Sequence, residues 1–366
     1  MTERRTWFST IALFCAALAF AVGCARAPSE PPIEEAAPPA IDLPTITLGY
    51  SSWPGWWPWA IADREGLFAK NGINVRLLWF DSYGASMEAL AAGQLDANCQ
   101  TLSDTISFAA DAIEGEVAVL VNDNSAGNDK IVAAAGIDRL EDLRGQQVAI
   151  EQGVVVDFLL ALALEDAGMS RDEIEIVGMD TADAALAFID AEVDAVGAFP
   201  PFWAMALTRE GSREIVSSAQ FPGAIPDLLV VTQTLIDSRP EIVEGLVATW
   251  FDILAFMDAN PDRSDEILAA RANVALENLA RFKDGTKLFT IEDNLTAFRD
   301  GDTMQSLPFA ARRTADFMLD VGFIRSVLPL EPLLDDSFVL AYSQSRSASD
   351  PGGGAQPVPD NGPDDG

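Results

Sequence analysis

The stretch Gly49-Tyr-Ser-Ser-Trp-Pro-Gly-Trp-Trp-Pro-Trp59 decides the fold of this chain. It follows an alternating apolar strand at 45–50 and places four of the eight tryptophans within seven residues. Pro58 stands where a helix would begin, and residues 60–70 read as that helix. A strand-to-helix turn of this kind lies at the carboxyl edge of an α/β sheet, where such folds bind ligands. The tryptophan rings either form a pocket wall there or plug one end of a core.

The rest of the chain alternates short apolar strands with helical patterns. Strands are predicted at 45–50, 74–80, 95–99, 117–122, 130–135, 147–150, 174–178, 194–199 and 228–233. Helices are predicted at 84–92, 104–113, 155–167, 182–191 and 202–211, and the segment 240–324 is almost wholly helical. This alternation predicts an α/β fold with parallel or mixed sheet covered on both faces.

Both ends of the chain differ from its body. A basic start, twelve apolar residues at 11–22 and the run Ala21-Val-Gly-Cys24 predict a secretory signal at 1–23, with Cys24 acylated or incidental. The Pro/Ala/Glu-rich segment 24–44 reads as a tether, and 344–366 as a disordered Gly/Pro/Asp-rich tail. We therefore expect an extracytoplasmic (periplasmic-face) lipoprotein, held to a membrane through a lipid anchor at Cys24.

Composition excludes several classes of function. The chain has 57 acidic and 23 basic residues, a formal net charge of −34, so its surface repels nucleic acid. It has no histidine, and of its three cysteines only Cys99 falls in the predicted folded body. Neither a disulfide within that body nor a Ser/His/Asp or Cys/His catalytic arrangement can be built, and one thiol makes no metal site. We expect no catalytic residue, metal or cofactor.

Five fragments, in order along the chain, resemble the solute-binding proteins of ABC importers, most closely the nitrate/sulfonate/taurine group. They are Gly49-Tyr-Ser-Ser-Trp53, Ala62-Asp-Arg-Glu-Gly-Leu-Phe-Ala-Lys-Asn-Gly-Ile-Asn-Val75, Ala89-Leu-Ala-Ala-Gly-Gln-Leu-Asp-Ala97, Leu140-Glu-Asp-Leu-Arg-Gly-Gln-Gln-Val-Ala149 and Glu192-Val-Asp-Ala-Val196. The resemblance implies a two-lobed periplasmic-binding-protein-like fold of type II, with a hinge and an interlobe cleft. It also implies a monomer that delivers a small-molecule solute to an ABC permease and its ATPase.

The predicted lobes follow from the α/β chain ending in a block of helices. Crossings near 122–130 and 224–228 would place 45–124 and 226–343 in lobe 1 and 125–225 in lobe 2. Two crossings make a hinge, and the cleft between the lobes is then the natural ligand site.

Candidate ligand residues lie on the loops that such a cleft would bring together. They are Ser52, Trp53, Trp56, Trp57, Asp81, Tyr83, Thr101, Ser103, Asp104, Ser125, Asn128, Asp129, Glu151, Gly153, Asp157, Phe199 and Phe202. Several have structural alternatives: Thr101, Ser103 and Asp104 can cap a helix, Ser125 to Asp129 can form a plain turn, and Asp157 can complement a helix dipole.

These loops offer aromatic faces and carboxylates, with Lys130 as their one cation. Carboxylates in a closed cleft repel an anion, whereas a small cation gains charge-assisted hydrogen bonds and ring contacts. We therefore favour a compact nitrogen compound, with guanidinium first and urea or a small amine next. Helix N-termini could instead bind nitrate, taurine or a sulfonate. Two rival functions remain: an enzyme resembling the pyrimidine synthases of thiamine biosynthesis, and a sensory lipoprotein without a transport role.

Overall fold

The computed structural model describes residues 45–349, with side chains as far as residue 346. The predicted signal, Cys24 and tether lie outside this range, as does the tail from residue 350. The strands are β1 (Thr45–Tyr50), β2 (Asn74–Trp79), β3 (Ala97–Thr101), β4 (Glu116–Ser125), β5 (Lys130–Ala133), β6 (Gln147–Ile150), β7 (Glu175–Gly178), β8 (Ala195–Ala198), β9 (Arg213–Ser217), β10 (Pro226–Thr232) and β11 (Thr286–Leu288).

Helices separate most of these strands and dominate the chain after β10. They are α1 (Trp59–Arg64), α2 (Leu67–Lys70), α3 (Tyr83–Ala91), α4 (Leu102–Phe108), α5 (Val155–Asp166), α6 (Thr181–Ile189), α7 (Phe202–Ala206), α8 (Gln233–Ser238), α9 (Pro240–Ala259), α10 (Pro261–Ala272), α11 (Leu276–Asp284), α12 (Ile291–Ala297), α13 (Leu307–Asp320) and α14 (Ser337–Ser349). Short 3-10 helices lie at Leu140–Leu143, Arg171–Glu173, Ser218–Gln220 and Glu331–Leu333.

The strands form two sheets. One has the order β11-β4-β10-β3-β1-β2 and the other β7-β6-β8-β5-β9. In the six-stranded sheet β10 runs antiparallel to β3 and β4, and β11 runs antiparallel to β4; in the other sheet β5 runs antiparallel to β8 and β9. The chain enters the two sheets after its crossings with β5 and β10. Below, lobe 1 denotes the six-stranded sheet with its helices, and lobe 2 the five-stranded sheet with α5, α6 and α7.

Both sheets are buried on their two faces, as the alternating sequence predicts. All the residues of β3, β4 and β10 are buried, and apolar residues from both lobes join one continuous core. The described residues 45–349 lie within a single compact unit, in which the two lobes are joined by hydrogen bonds. No helix in the described range combines the length and apolar character needed to cross a membrane.

Three local features differ from the sequence-based expectations. The helix predicted at 60–70 is two helices, because Gly66 adopts a left-handed φ of 70° between them. The edge strands β9 and β11 were not expected; β11 is only three residues long and lies inside the helical block. The last helix, α14, continues to Ser349, beyond the predicted start of the tail at 344.

Candidate functional site

A small cavity lies between residues of both lobes, at the ends of β1 and β3 and at the start of α5. Its lining consists of Ser51, Ser52, Trp53, Trp56, Tyr83, Thr101, Asp129, Val155, Phe199 and Asp227. The volume open to the centre of a water molecule is about 10 Å³. That is room for roughly one water. The cleft is therefore shut around a very small polar space.

Hydrogen bonds between the lobes hold the cleft closed. The Ser52 hydroxyl of lobe 1 donates to the Pro200 carbonyl of lobe 2 at 3.1 Å. The Gly84 N–H, at the start of α3, donates to Glu151 Oε1 at 3.2 Å. The second oxygen of Glu151 accepts from the Thr181 N–H and hydroxyl at 3.2 and 2.7 Å. Glu151 thus ties lobe 2 to a helix N-terminus of lobe 1, where negative charge is favoured.

The tryptophan loop supplies both pocket wall and core. Trp53 and Trp56 line the cavity, with their ring centroids 6.2 Å apart. Trp57 and Trp59 point away from it and are fully buried. Trp57 packs edge-on against Phe282 of α11, with ring centroids 6.0 Å apart. All four rings therefore belong to the core, and two of them also border the cavity.

Asp129 is the carboxylate most available to a ligand. It lines the cavity, is 1% exposed, and neither of its side-chain oxygens has a hydrogen-bond partner among the described residues. Burial raises the pKa of Asp129 to about 7, and a nearby Ser125 hydroxyl opposes this shift only in part. A buried carboxylate without partners costs several kcal/mol when ionised, unless a bound group satisfies it.

Asp123 and Asp227 form a second acidic feature beside the cavity. They lie opposite each other on the antiparallel strands β4 and β10, and each carboxyl group shifts the pKa of the other. Burial raises the pKa of Asp123 to about 8, and burial and then the charge of Asp123 raise the pKa of Asp227 well above its usual range. Two adjacent buried carboxyls cannot both ionise cheaply, so the pair keeps a proton.

The tryptophan loop packs against Asp123 of this acid pair. Trp53 Nε1 donates to Asp123 Oδ1 at 2.9 Å. A Cβ on Gly55 would lie 1.8 Å from Asp123 Oδ2. Only glycine allows the loop backbone to come this close to the carboxyl group.

Asp104 is buried beside the cavity and has partners within lobe 1. Its Oδ2 accepts from the Tyr83 hydroxyl at 2.7 Å and from Thr101 Oγ1 at 2.8 Å, and its N–H donates to Thr101 Oγ1 as a helix cap. Burial raises the pKa of Asp104 to about 7 although these hydrogen bonds oppose the shift. Its main role in this geometry is to fix the ring of Tyr83 and the start of α4.

The structure brings seven of the predicted ligand residues into the cavity lining. They are Ser52, Trp53, Trp56, Tyr83, Thr101, Asp129 and Phe199. Three lining residues were not among the predictions: Ser51, Val155 and Asp227. The position of Asp227 within the predicted crossing 224–228 was the one signal for it, and Asp123 stood in the polar run at the other crossing.

The remaining predicted residues do not line this cavity, because each is engaged elsewhere. Asp81 is exposed and accepts from Trp79 Nε1 at 2.8 Å. Ser103 and Ser125 pair with the hydroxyls of Thr101 and Ser218 at 2.9 and 2.7 Å.

The other four predicted residues, which make contacts with protein groups, are Asn128, Gly153, Asp157 and Phe202. Asn128 donates to the carbonyl of Phe282, which joins the crossing to α11. Asp157 forms a two-pronged ion pair with Arg171 and accepts the Gly153 N–H at 2.9 Å, so its charge is already balanced. Phe202 packs edge-on against Phe199, with ring centroids 5.5 Å apart.

The one cation predicted on the cleft loops, Lys130, is already paired. Lys130 Nζ hydrogen-bonds to Glu214 Oε2 and lies 4.9 Å from the ring centroid of Trp203. The lining itself contains no Lys or Arg. Within residues 45–349, no group of three or more Cys, Asp or Glu side chains is arranged to hold a metal ion. The site therefore combines aromatic walls with unbalanced carboxyl groups.

Comparison with known proteins gives the family. The model of the NMT1-like family matches residues 40–272. A Brucella abortus protein named as a binding protein is 28% identical over 279 residues, which are 75% of this chain and 83% of that one. The taurine-binding periplasmic protein of Escherichia coli is 24% identical over 208 residues, 56% of this chain and 64% of that one.

Solved structures agree on the fold. The alkanesulfonate-binding protein of Xanthomonas axonopodis pv. citri, bound to MOPS, aligns with a TM-score of 0.68 at 16% identity, over 81% of this chain and 99% of that one. The two sheets, the double crossing and the closed cleft are thus those of a type II periplasmic-binding-protein fold. The fold is that of the periplasmic solute-binding proteins, and the chain belongs to the NMT1-like family.

Proposed function

We propose that this protein captures a small nitrogen-containing solute, preferably a cation, outside the cytoplasm and delivers it to an ABC permease. Guanidinium is the first candidate, and urea or a small amine the next. The observation that carries this proposal is Asp129, whose two buried oxygens have no partner among the described residues and border the cavity. A planar cation with parallel N–H donors can satisfy both oxygens at once.

The walls of the cavity support the same class of solute. A cation beside the ring of Trp56 gains about 0.5–2 kcal/mol from the ring face. The Ser51 hydroxyl and Trp56 Nε1 are also buried without a partner in the described range. These two donors would suit the carbonyl of urea, which keeps urea close behind guanidinium. The closed site has room for about one water, so it must widen to admit any of the candidate solutes.

An anion such as nitrate, taurine or an aliphatic sulfonate is the second candidate. The named relatives favour it, since one carries the name of a taurine-binding protein and another was solved with MOPS. One feature of this chain agrees with them: Val155, at the start of the twelve-residue helix α5, lines the cavity, and the N-cap residue Val154 provides no side-chain cap. Free N–H groups at a helix start bind anions. The opposing feature is the carboxyl group of Asp129 in the same space.

The proposal includes movement and anchoring. We expect lobe 1 (45–124 and 226–343) and lobe 2 (125–225) to open about the segments near 122–130 and 224–228 when the solute leaves. We also expect lipid attachment at Cys24 to hold the protein at the extracytoplasmic face. Replacement of Cys24 by Ser should then move the protein from the membrane fraction to the soluble fraction.

A thermal-shift panel on residues 45–349 tests the choice of solute. The panel contains guanidinium, urea, methylamine, nitrate, taurine and ethanesulfonate in phosphate buffer, which is neither an amine nor a sulfonate. A solute at one hundred times its dissociation constant should raise the free energy of unfolding by about 2.7 kcal/mol. Stabilisation by guanidinium, urea or methylamine supports the proposal. Stabilisation by nitrate, taurine or ethanesulfonate alone would transfer the function to the second candidate.

A further inference from the structure

We propose that the carboxyl groups of Asp123, Asp129 and Asp227 hold protons while the site is empty and release at least one of them to solvent when a nitrogen cation enters. Solute capture is then coupled to proton release, and affinity rises with pH. This inference rests on the proposed function, because only a cationic solute replaces the positive charge of the protons.

The three side chains are placed together by the crossings. Asp123 lies near the end of β4, Asp129 follows β4 by four residues, and Asp227 is the second residue of β10. Their exposed fractions are 0%, 1% and 1%. Both oxygens of Asp129, and Oδ2 of each of the other two, have no hydrogen-bond partner in the part of the chain described. Three carboxyl groups thus share one dry region at the hinge.

The surrounding charges do not neutralise this cluster. Lys130 acts on Asp129 but is hydrogen-bonded to Glu214. The negative charge of Asp104 raises the pKa of Asp227, and the negative charge of Glu151 raises the pKa of Asp104. The other titratable groups in electrostatic contact with the cluster are Tyr83 and Cys99, both buried and with raised pKa values.

Protonation therefore balances the charge in the empty site. Burial raises the pKa of Asp129 to about 7 and that of Asp123 to about 8, and burial and then the charge of Asp123 raise the pKa of Asp227 well above its usual range. At neutral pH the empty cluster carries more than one proton. A cation beside Asp129 favours the ionised form of the carboxyl group and lowers its pKa, so protons leave as the solute enters.

The sign of the linkage separates the classes of solute. If one proton is released on binding, the dissociation constant falls about tenfold for each unit by which the pH rises. A cation should therefore bind about ten times more tightly at pH 7 than at pH 6. An anion in the same space should bind more weakly as pH rises, because it needs the carboxyl groups neutral. Urea, which is uncharged, should bind with little change.

A pH-stat titration measures the protons directly. Guanidinium chloride is added to wild-type protein in unbuffered potassium chloride at pH 7, and the base needed to hold the pH is recorded. Added buffer is avoided because Tris is a cation and MOPS, the molecule bound in the Xanthomonas structure, is a sulfonate. Infrared spectra of the empty and filled protein follow the protonated carboxyl band. Asp227→Asn is the test variant, and the exposed carboxylate variant Asp81→Asn is the control.

The expected result is close to one proton released per bound guanidinium, loss of carboxyl absorption on binding, and the same behaviour in Asp81→Asn. Asp227→Asn should release fewer protons than wild type. Tight guanidinium binding with no proton released, and with a dissociation constant that is flat between pH 6 and 8, overturns the proton exchange while leaving the proposed function standing. Absence of guanidinium and amine binding removes the proposed function, and this inference with it.

Discussion

The substitution Asp129→Asn should stabilise the empty protein and weaken solute binding, two effects of opposite sign at one residue. In the folded protein the pKa of Asp129 is about 7, against an ordinary value of 3.8. Each pH unit between these values is worth about 1.4 kcal/mol, so the ionised side chain lowers the free energy of unfolding by about 4 kcal/mol at alkaline pH. The contribution of the neutral Asp129 carboxyl group to the free energy of unfolding is fully present below pH 3.8. It is lost as the pH rises through about 7.

Asparagine removes this ionisation but buries an amide that also needs partners, at about 1–3 kcal/mol. The net gain at pH 8.5 should be about 1–3 kcal/mol, or about 2–6 °C in melting temperature for a chain of this size. At pH 5 the carboxyl group is neutral and the gain should disappear. Guanidinium affinity should fall by about 2–5 kcal/mol, roughly 30-fold to several thousand-fold, because the cation loses its buried counter-charge.

Differential scanning calorimetry at pH 5, 7 and 8.5 measures the first effect, and calorimetric titration with guanidinium the second. Chemical denaturants are unsuitable, since guanidinium and urea are themselves candidate solutes. Asp81→Asn serves as the matched control, because Asp81 is exposed and should change neither quantity. The reasoning is refuted if the difference in stability between Asp129→Asn and wild type is the same at pH 5 and at pH 8.5. Unchanged guanidinium affinity would refute it as well.

Three further predictions concern the walls and the closure. Trp56→Leu should raise the guanidinium dissociation constant about 3- to 30-fold by removing the ring face, whereas Trp56→Phe should retain most of the affinity in calorimetric titrations. Gly55→Ala should lower both melting temperature and affinity, because its Cβ would meet the Asp123 carboxyl at 1.8 Å; full retention of both would contradict the packing of the loop. Glu151→Ala removes the Gly84 hydrogen bond between the lobes and should reduce the solute-induced compaction measured by small-angle X-ray scattering, with affinity lowered about tenfold or more.

Local sequence pattern was sufficient for most of the fold. β1 and β6 have the predicted bounds, because each is an apolar run ended by turn or helix-start residues. The sequence did not predict the edge strands β9 and β11, because a short strand with partly exposed residues shows little hydrophobic periodicity. The split of the predicted helix at Gly66 depends on a left-handed backbone that glycine permits but does not require.

The site was harder to predict because its contacts are not local. The role of Asp227 depends on Asp123, which lies opposite it on a neighbouring strand but about a hundred residues away along the chain. Asp157 is an isolated charge in an apolar helix, and only the fold shows that Arg171 neutralises it. Trp56 and Trp57 are adjacent in an irregular turn, so the sequence could not tell which ring faces the cavity.

A crystal structure grown with guanidinium chloride in a buffer free of amines and sulfonates tests the central claim most directly. We expect planar density in the cavity, with two nitrogen atoms within hydrogen-bond distance of the Asp129 oxygens and the plane beside Trp56. Density for a tetrahedral or nitrate-like anion at the start of α5, or guanidinium bound only away from this cavity, would contradict the claim.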